Sequence, residues 1–405
     1  MKKPSWPTVI GPLAPYAAGY RKELAGSGYS RWTASAHMYL MAHVSDWLDE
    51  RDLAGSEFDA ERSRQFLADR RSSGQVRRLT PRGLVPLLRY LRSLGVLPDK
   101  ATPERDDPVG RLLRAFADYL ARERGLAAGT IAGHRYYAGL FLDTCAPDPT
   151  TERCGVSALG ADDVNVFLVT ECTRRSVGSA GKVVASLRVL LRFFYLRGYT
   201  TMPLADCVPK AAAWRDNGRS RSLGPGEVSR LLASCDRRTS AGRRDFAVLT
   251  VLVRLGLRAN EVATLTLDDL DWHAGAVTVT GKGGRRDRLP LPADVGQSVA
   301  DYCRQGRRRN EQRALFLQVR APYTALTSDM VSHVVVRACR RAGIPPVGAH
   351  RLRHTSASAM RRAGAPLFEI GQVLRHRWTV STALYAKDDL DALAEIARPW
   401  PGARP

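Results

Sequence analysis

Apolar residues recur every three to four positions through the first part of the chain, which is the spacing of amphipathic helices. Three such runs precede residue 95. They are Leu13-Tyr16-Tyr20-Leu24, Met38-Met41-Val44-Trp47-Leu48 and Leu84-Leu87-Leu88-Leu91-Leu94. We therefore predict a helical domain over residues 1–105.

Residues 108–210 repeat this plan, with four predicted helical runs. The last run resembles its counterpart in the first domain in residue types as well as in period. LVPLLRYLRSLGVLP begins at residue 84, and LRVLLRFFYLRGYTTMP begins at residue 187. The pattern indicates two tandem helical bundles of similar topology and is consistent with an old duplication.

Residues 211–222 are rich in polar residues, glycine and serine, which is typical of an interdomain linker. Beyond it the apolar period changes. Helices are predicted at 226–234, 241–256, 294–306 and 328–342. Strands are predicted at Ala263–Leu267, Ala276–Thr280 and Asp287–Leu291. The predicted fold is mainly α with a small antiparallel β-sheet: helical bundles precede a mixed α+β domain at 223–390 and a tail at 391–405.

Positive charge is spread along the chain, where 62 lysines and arginines exceed 40 aspartates and glutamates to give a net charge of +22 over 405 residues. This excess predicts a polyanionic partner such as nucleic acid, and codon bias toward arginine is the alternative. No apolar run reaches the roughly 18 residues of a membrane span. The 7 cysteines form no C-x-x-C pair, so we expect reduced thiols, no metal site and a cytoplasmic, nucleoid-associated protein without a membrane partner.

The segment from Ala349 to Tyr385 concentrates side chains suited to chemistry on an anion. His350 and Arg353 stand three residues apart in a helical pattern, so they share one face. A Gly-Ala-Pro turn and a short apolar run follow, and then come His376 and Tyr385. Three successive short elements would thus supply two imidazoles, a guanidinium and a phenol.

Two upstream positions extend this set. Arg258 follows an apolar helix, and Glu261, three residues later, is placed to hold its guanidinium. Lys282 stands among glycines in a predicted hairpin, and only Lys387 is a further lysine after residue 210. An ammonium can release a proton at working pH, whereas a guanidinium cannot. Each residue also has an ordinary interpretation, such as a surface ion pair, a turn lysine or a half-buried aromatic ring.

Together these residues resemble the signature of the tyrosine recombinases, the phage integrase family: R-x-x-E after Gly-Leu, a hairpin lysine, H-x-x-R, a second histidine and a nucleophilic tyrosine. The resemblance is specific over about residues 215–390. It implies double-stranded DNA as substrate, a covalent phosphotyrosine on Tyr385, and no metal or other cofactor. Arg258, Arg353 and His376 would stabilise the phosphate. His350 would accept the tyrosine proton or act as a further donor, and Lys282 would protonate the departing 5′ oxygen.

The resemblance extends loosely to residues 108–210, where the family has its core-binding domain, and hardly to residues 1–105, which would bind DNA or mediate oligomerisation. It implies a dimer or tetramer on DNA, helped by residues 387–405 packing on a neighbouring protomer, with accessory factors or co-encoded recombinases as further partners. The chain would then be the integrase or transposase of a mobile element. A DNA-binding accessory protein without turnover and a type IB topoisomerase are the alternatives.

Ten further cationic residues are candidates for contacts with the DNA backbone. Arg375 stands where the family commonly has glycine, so it would either add a phosphate contact or crowd the pocket. The others are Arg77, Arg78, Arg174, Arg175, Lys182, Arg219, Arg221, Arg285 and Arg286.

Overall fold

The computed structural model describes residues 5–74, 80–98, 105–146, 154–209, 222–281 and 283–375. Residues Lys100–Asn217 form one compact unit, and Met1–Asp99 together with Gly218–Pro405 form the other. The two helical bundles and the C-terminal domain each have their own hydrophobic core. Within these described ranges, no helix is both long enough and apolar enough to cross a membrane.

The described residues of the first bundle form four α-helices. They are α1 (Ala17–Gly26), α2 (Arg31–Asp49), α3 (Ala60–Ser72) and α4 (Pro81–Ser93). The hydroxyl of Ser30 accepts the backbone N–H of Thr33 and so fixes the start of α2. Trp47, Phe58 and Phe66 close the core by edge-to-face packing, with ring centroids between 5.9 and 6.5 Å apart.

Four α-helices also lie in the described part of the second bundle, as the repeated pattern predicts. They are α5 (Pro108–Arg122), α6 (Ala128–Cys145), α7 (Ala161–Thr173) and α8 (Val177–Leu196). Proline at the first position of α5 has no N–H to lose, and the Asp107 side chain accepts the N–H of Gly110 at 2.8 Å. In the core, the rings of Phe116 and Phe193 lie 5.3 Å apart.

The C-terminal domain is organised around a buried helix, α10. Its helices are α9 (Pro225–Ala233), α10 (Ser240–Leu255), α11 (Ala259–Thr264), α12 (Ala293–Gln305), α13 (Ser328–Arg341), α14 (Ala349–Arg362) and α15 (Leu367–Val373). Helix α10 packs against α12, α13 and α14. The four helices predicted in this domain begin and end within one residue of the observed bounds.

Three strands form one antiparallel sheet in the order β1-β2-β3. They are β1 (Leu270–Asp271), β2 (Ala276–Thr280) and β3 (Arg286–Pro290). The register places Thr278 opposite Arg288. The predicted strand Ala276–Thr280 matches β2, and the one predicted at Asp287–Leu291 lies one residue beyond β3.

The strand predicted at Ala263–Leu267 is wrong. Its first two residues, Ala263 and Thr264, are the end of α11, whose start is capped by the side chain of Glu261 accepting the backbone N–H of Arg258. Thr266 then makes a single antiparallel bridge with Ala314, and a 3₁₀ turn follows. A helix of only six residues has too few apolar positions for its period to be distinguished from that of a strand.

Candidate active site

Arg258 lies at the junction between α10 and α11. Gly256 ends α10 with a left-handed φ of +58°, and Arg258 takes an extended conformation as the N-cap of α11. Its Nη1 donates to Oε1 of Glu261 at 2.7 Å, the contact that the three-residue spacing predicts. The Arg258 side chain is 42% exposed, whereas that of Glu261 is 3% exposed. A buried carboxylate thus orients a guanidinium that an anion can reach.

Arg353 is fully buried in α14, with 1% exposure. Its Nη1 donates to the carbonyl of Gly256 at 2.6 Å, and its Nη2 donates to the carbonyl of Leu374. The sequence predicts a phosphate contact for this residue. In the structure its guanidinium joins the backbone that leads to Arg258 with the backbone that leads to Arg375, and the phosphate contact stays a prediction.

His350 precedes Arg353 by three residues on α14. Its ring packs edge-to-face on His354, with centroids 4.7 Å apart. Burial lowers the pKa of His350 below its usual value near 6.5, and the positive charges of Arg353 and Arg258 lower it further. The imidazole is therefore neutral at neutral pH and can accept a proton.

Arg375 directly follows α15 and enters the same cluster. Its side chain is 4% exposed, and Nη2 donates to Oε2 of Glu261 at 2.6 Å. Its Nε lies 4.0 Å from Oδ2 of Asp287 in β3. Burial lowers the pKa of this guanidinium, and the charge of Glu261 opposes the shift. The side chain thus enters the pocket, and the phosphate contact that the sequence offers as the other expectation stays a prediction.

The β2–β3 hairpin approaches the same carboxylate. A Cβ added at Gly281 would lie 3.9 Å from Oε1 of Glu261, so the backbone next to residue 282 passes beside the Arg258–Glu261 pair. Gly283 and Gly284 continue the turn at φ +83° and +78°, which glycine adopts without strain. Lys282 itself lies outside the described residues, so its place in the site remains a prediction.

Several other predicted residues also lie outside the described residues, and their roles stay predictions. His376 and Tyr385 are the two that bear on chemistry. The rest are Arg77, Arg78, Arg219 and Arg221, together with nearly all of the linker and the whole tail.

Four of the candidate DNA-contacting cations are exposed. Arg174 and Lys182 flank the start of α8. Arg285 and Arg286, beside the hairpin turn, are 71% and 67% exposed, and each is paired with an aspartate. Their long side chains can reach a phosphate, because exposed ion pairs are weak and exchange readily.

Arg175 differs from these four. Its Nε and Nη2 donate to Glu171 at 2.9 and 2.5 Å, and the guanidinium lies over the ring of Tyr137. These contacts anchor Arg175 within the second bundle. Arg175 therefore pairs with a carboxylate of α7 in the free chain, and its contact with DNA stays a prediction.

Sequence reasoning located the turn after the apolar helix but missed the part that Gly256 plays in the site, and it missed Asp287. Glycine directly after an apolar helical run is the usual signal of a helix C-terminus. In β3, Asp287 and Leu289 alternate with exposed positions, so an acidic residue occurs on the covered face of the strand. That alternation was the available signal for Asp287.

The cluster is suited to holding and polarising an anion. Glu261 and Asp287 are both engaged by arginines, and within the described ranges no group of three or more histidine, cysteine, aspartate or glutamate side chains is arranged to hold a metal ion. An oriented guanidinium, a buried positive charge and a neutral imidazole remain to act on a bound anion.

Comparison with known proteins agrees with this geometry. The phage integrase family matches residues 221–391. The putative integrase/recombinase y4rA of Sinorhizobium fredii is 37% identical over 396 residues, which cover 97% of this chain and 95% of the relative. Tyrosine recombinase XerD of Mycobacterium tuberculosis is 30% identical over 314 residues, which cover 72% of this chain and 97% of XerD.

Among solved structures, the XerH site-specific recombinase in a post-cleavage complex with a palindromic difH substrate has the same fold. The TM-score is 0.56 at 17% identity, with 84% of this chain and 94% of XerH covered. The relatives are similar over nearly their whole length, and the fold and the sequence signature agree. The chain belongs to the phage integrase family of tyrosine recombinases.

Proposed function

We propose that the chain is a site-specific DNA recombinase that cuts and rejoins double-stranded DNA through a covalent 3′-phosphotyrosyl intermediate on Tyr385. The observation that carries the proposal is an exposed guanidinium, Arg258, oriented by buried Glu261 and close enough to a neutral His350 to lower its pKa. Such a pair can bind a phosphate and accept a proton beside it. Family membership supports the same activity.

In the proposed reaction, the phenol oxygen of Tyr385 attacks the scissile phosphorus and its proton passes to His350. The bond between phosphorus and the 5′ oxygen breaks, and Lys282 gives that oxygen a proton. Arg258 and His376 donate hydrogen bonds to the non-bridging oxygens, where negative charge grows. One phosphodiester replaces another, so attack by the 5′ hydroxyl of a second DNA end rejoins the strand.

In this proposal Arg353 supports the phosphate site from its buried side. Its N–H groups are directed at the carbonyls of Gly256 and Leu374, so it contributes positive charge to the pocket and holds its two walls together. The direct phosphate contact that the sequence predicts for Arg353 stays part of the proposal.

The proposed partner is double-stranded DNA, bound by a dimer or tetramer of the chain. The net charge of +22 and the exposed cations beside α8 and the hairpin turn support it. We further propose that the chain is the integrase or transposase of a mobile element, because a relative carries the name integrase. Co-encoded recombinases or accessory factors would be its further partners.

A library of nicked duplexes with randomised arms tests the proposal. The nick lets the cleaved strand end diffuse away, so the covalent adduct accumulates and can be recovered under denaturing conditions. We expect an adduct with the wild-type chain and none with Tyr385→Phe. Sequencing the trapped DNA gives a target site, on which Arg258→Lys should cleave roughly 10²–10³-fold more slowly because it loses the second parallel donor.

The same assay separates the alternatives. DNA binding without any adduct would identify an accessory protein. Adducts without sequence preference, together with relaxation of supercoiled plasmid, would identify a topoisomerase. Either result would overturn the proposal.

A further inference from the structure

Arg375 holds an unfavourable position. Its backbone φ of +55° is disfavoured for any residue with a Cβ, and its side chain is 4% exposed. Its Nε and Nη1 are buried and find no hydrogen-bond acceptor in the part of the chain that the structure describes. Glycine would remove all of these costs. Strain and unpaired donors that persist beside an active site point to a function.

The electrostatics of Glu261 indicate what that function is. A carboxylate that orients the Arg258 guanidinium also cancels the positive charge that a phosphate needs. Here Nη1 of Arg258 donates to Oε1, while Oε2 accepts from Nη2 of Arg375 and from the backbone N–H of Arg258, so two guanidiniums share one carboxylate. The trio carries a net charge of about +1, and with Glu261 and Arg375 almost fully buried, water screens it little.

Asp287 does not change this balance. Its Oδ2 lies 4.0 Å from Nε of Arg375, too far for a hydrogen bond, and its Oδ1 accepts from Nε of Arg285 at 2.8 Å. With Asp287 and Arg285 included, the cluster contains three guanidiniums and two carboxylates. These five side chains keep one surplus positive charge, and Arg258, at 42% exposure, is the arginine bonded to Glu261 that solvent can reach.

We propose that Arg375 is a positioning residue for the phosphate site: by holding Oε2 of Glu261, it lets that carboxylate orient Arg258 without cancelling its charge. The inference rests on the proposed recombinase function and assigns a residue of this chain that acts through Arg258. It explains why a strained, buried arginine stands at a position where glycine would fit.

The test uses the full chain and a nicked duplex recovered by the adduct selection. The single-turnover rate of adduct formation and the Kd for the duplex are measured for the wild type, Arg375→Gly and Arg375→Met. We expect cleavage to slow at least about tenfold, which is less than the 10²–10³-fold cost of a donor that touches the oxyanion. The Kd should change less than about threefold, because many other cations contribute to DNA binding.

Chemical rescue distinguishes a positioning role from a merely structural one. In Arg375→Gly, guanidinium chloride far below denaturing concentrations should restore cleavage, since the ion can occupy the space beside Glu261. An equal concentration of sodium chloride should not. Urea unfolding should show Arg375→Gly to be at least as stable as the wild type, because glycine relieves the backbone.

Arg238→Met is the matched control. Arg238 is 91% exposed, pairs with Asp236 and precedes α10, whose 16 residues put it roughly 24 Å from the Arg258 end. Wild-type rates in the Arg375 variants would overturn the positioning role and leave the recombinase proposal standing. No rescue by guanidinium, or a Kd that rises in step with the loss of rate, would also overturn it. The absence of any adduct with the wild type would overturn both.

Discussion

A buried charge such as that of Arg353 is stable only when the protein replaces the water it has lost. The carbonyls of Gly256 and Leu374 do this from positions 97 and 21 residues away in the sequence. The arginine thereby sets the spacing between the Arg258 turn and the end of α15. A phosphate site built across these two segments depends on that spacing.

We predict that the protonation of His350 determines how the cleavage rate depends on pH. Its pKa is lowered, so more than half of the imidazole is neutral at pH 6.5 and can accept the tyrosine proton. We expect the single-turnover cleavage rate to fall on acidification with a midpoint below pH 6.5. The folded chain holds the neutral form better than the unfolded chain does, so the free energy of unfolding should also decrease as pH falls below about 6.5.

His350→Gln is the control for this profile. Glutamine keeps a polar side chain on α14 but cannot take a proton, so cleavage should be slow and the acidic limb should disappear. An acidic midpoint above pH 6.5 in the wild type would contradict the assigned role.

Contacts between residues within one helical turn could be predicted from the sequence, whereas contacts between residues distant in the sequence could not. The Arg258–Glu261 pair follows from a three-residue spacing. The bond between Arg375 and Glu261 joins residues 114 apart, and no periodicity encodes it. The burial of Arg353 was unpredictable for the same reason: H-x-x-R gives a helix face but not what covers it.

Among the elements, the α10–α11 junction depends on the glycine at position 256. Its φ is +58°, and a Cβ there would lie 2.5 Å from Cδ2 of Leu374 and 3.2 Å from Oγ of Ser356. Gly256→Ala should therefore destabilise the chain by roughly 2–4 kcal/mol, the sum of left-handed strain and overpacking, measured by urea unfolding. It should also slow cleavage, because Arg353 and Arg258 are both placed by this turn.

Gly275→Ala is the matched comparison. Gly275 has the same φ of +58° in the turn before β2, but a Cβ there would meet nothing within 4 Å. Only the backbone cost of roughly 1–2 kcal/mol is expected, with cleavage unchanged. Equal losses of stability in the two variants would mean that the contact with Leu374 is not important.

Element length decided what the sequence could predict. Helices of the length of α10 and α13 contain several apolar periods, which fix the type of element and its ends. The six residues of α11 and the two residues of β1 contain too few. Their structure is set by a capping carboxylate and by pairing with β2, and these contacts are tertiary.

For the whole molecule, the change of apolar period after residue 222 predicts helical bundles followed by a mixed α+β part, and the observed fold class agrees. The second bundle has a hydrophobic core of its own, and residues 100–217 form a compact unit. Independent cores leave independent patterns in a sequence.

The isolated fragment 100–217 should therefore fold and unfold cooperatively by itself. Phe193 is 1% exposed and contacts the rings of Phe116 and Tyr119, so Phe193→Ala should destabilise the fragment by roughly 3–5 kcal/mol. Thermal unfolding followed by circular dichroism measures both effects. A broad, non-cooperative melt of the unaltered fragment would show that its core needs the rest of the chain.

The left-handed backbone at Arg375 has a consequence for engineering and for evolution. Many arginine and glycine codons differ only in their first base, so a single mutation can exchange the two residues. Selection for heat resistance alone would favour the glycine codon, because it relaxes the main chain. Thermostable variants obtained in that way should be screened for strand exchange, since at this position tolerance to heat and catalytic speed are expected to oppose each other.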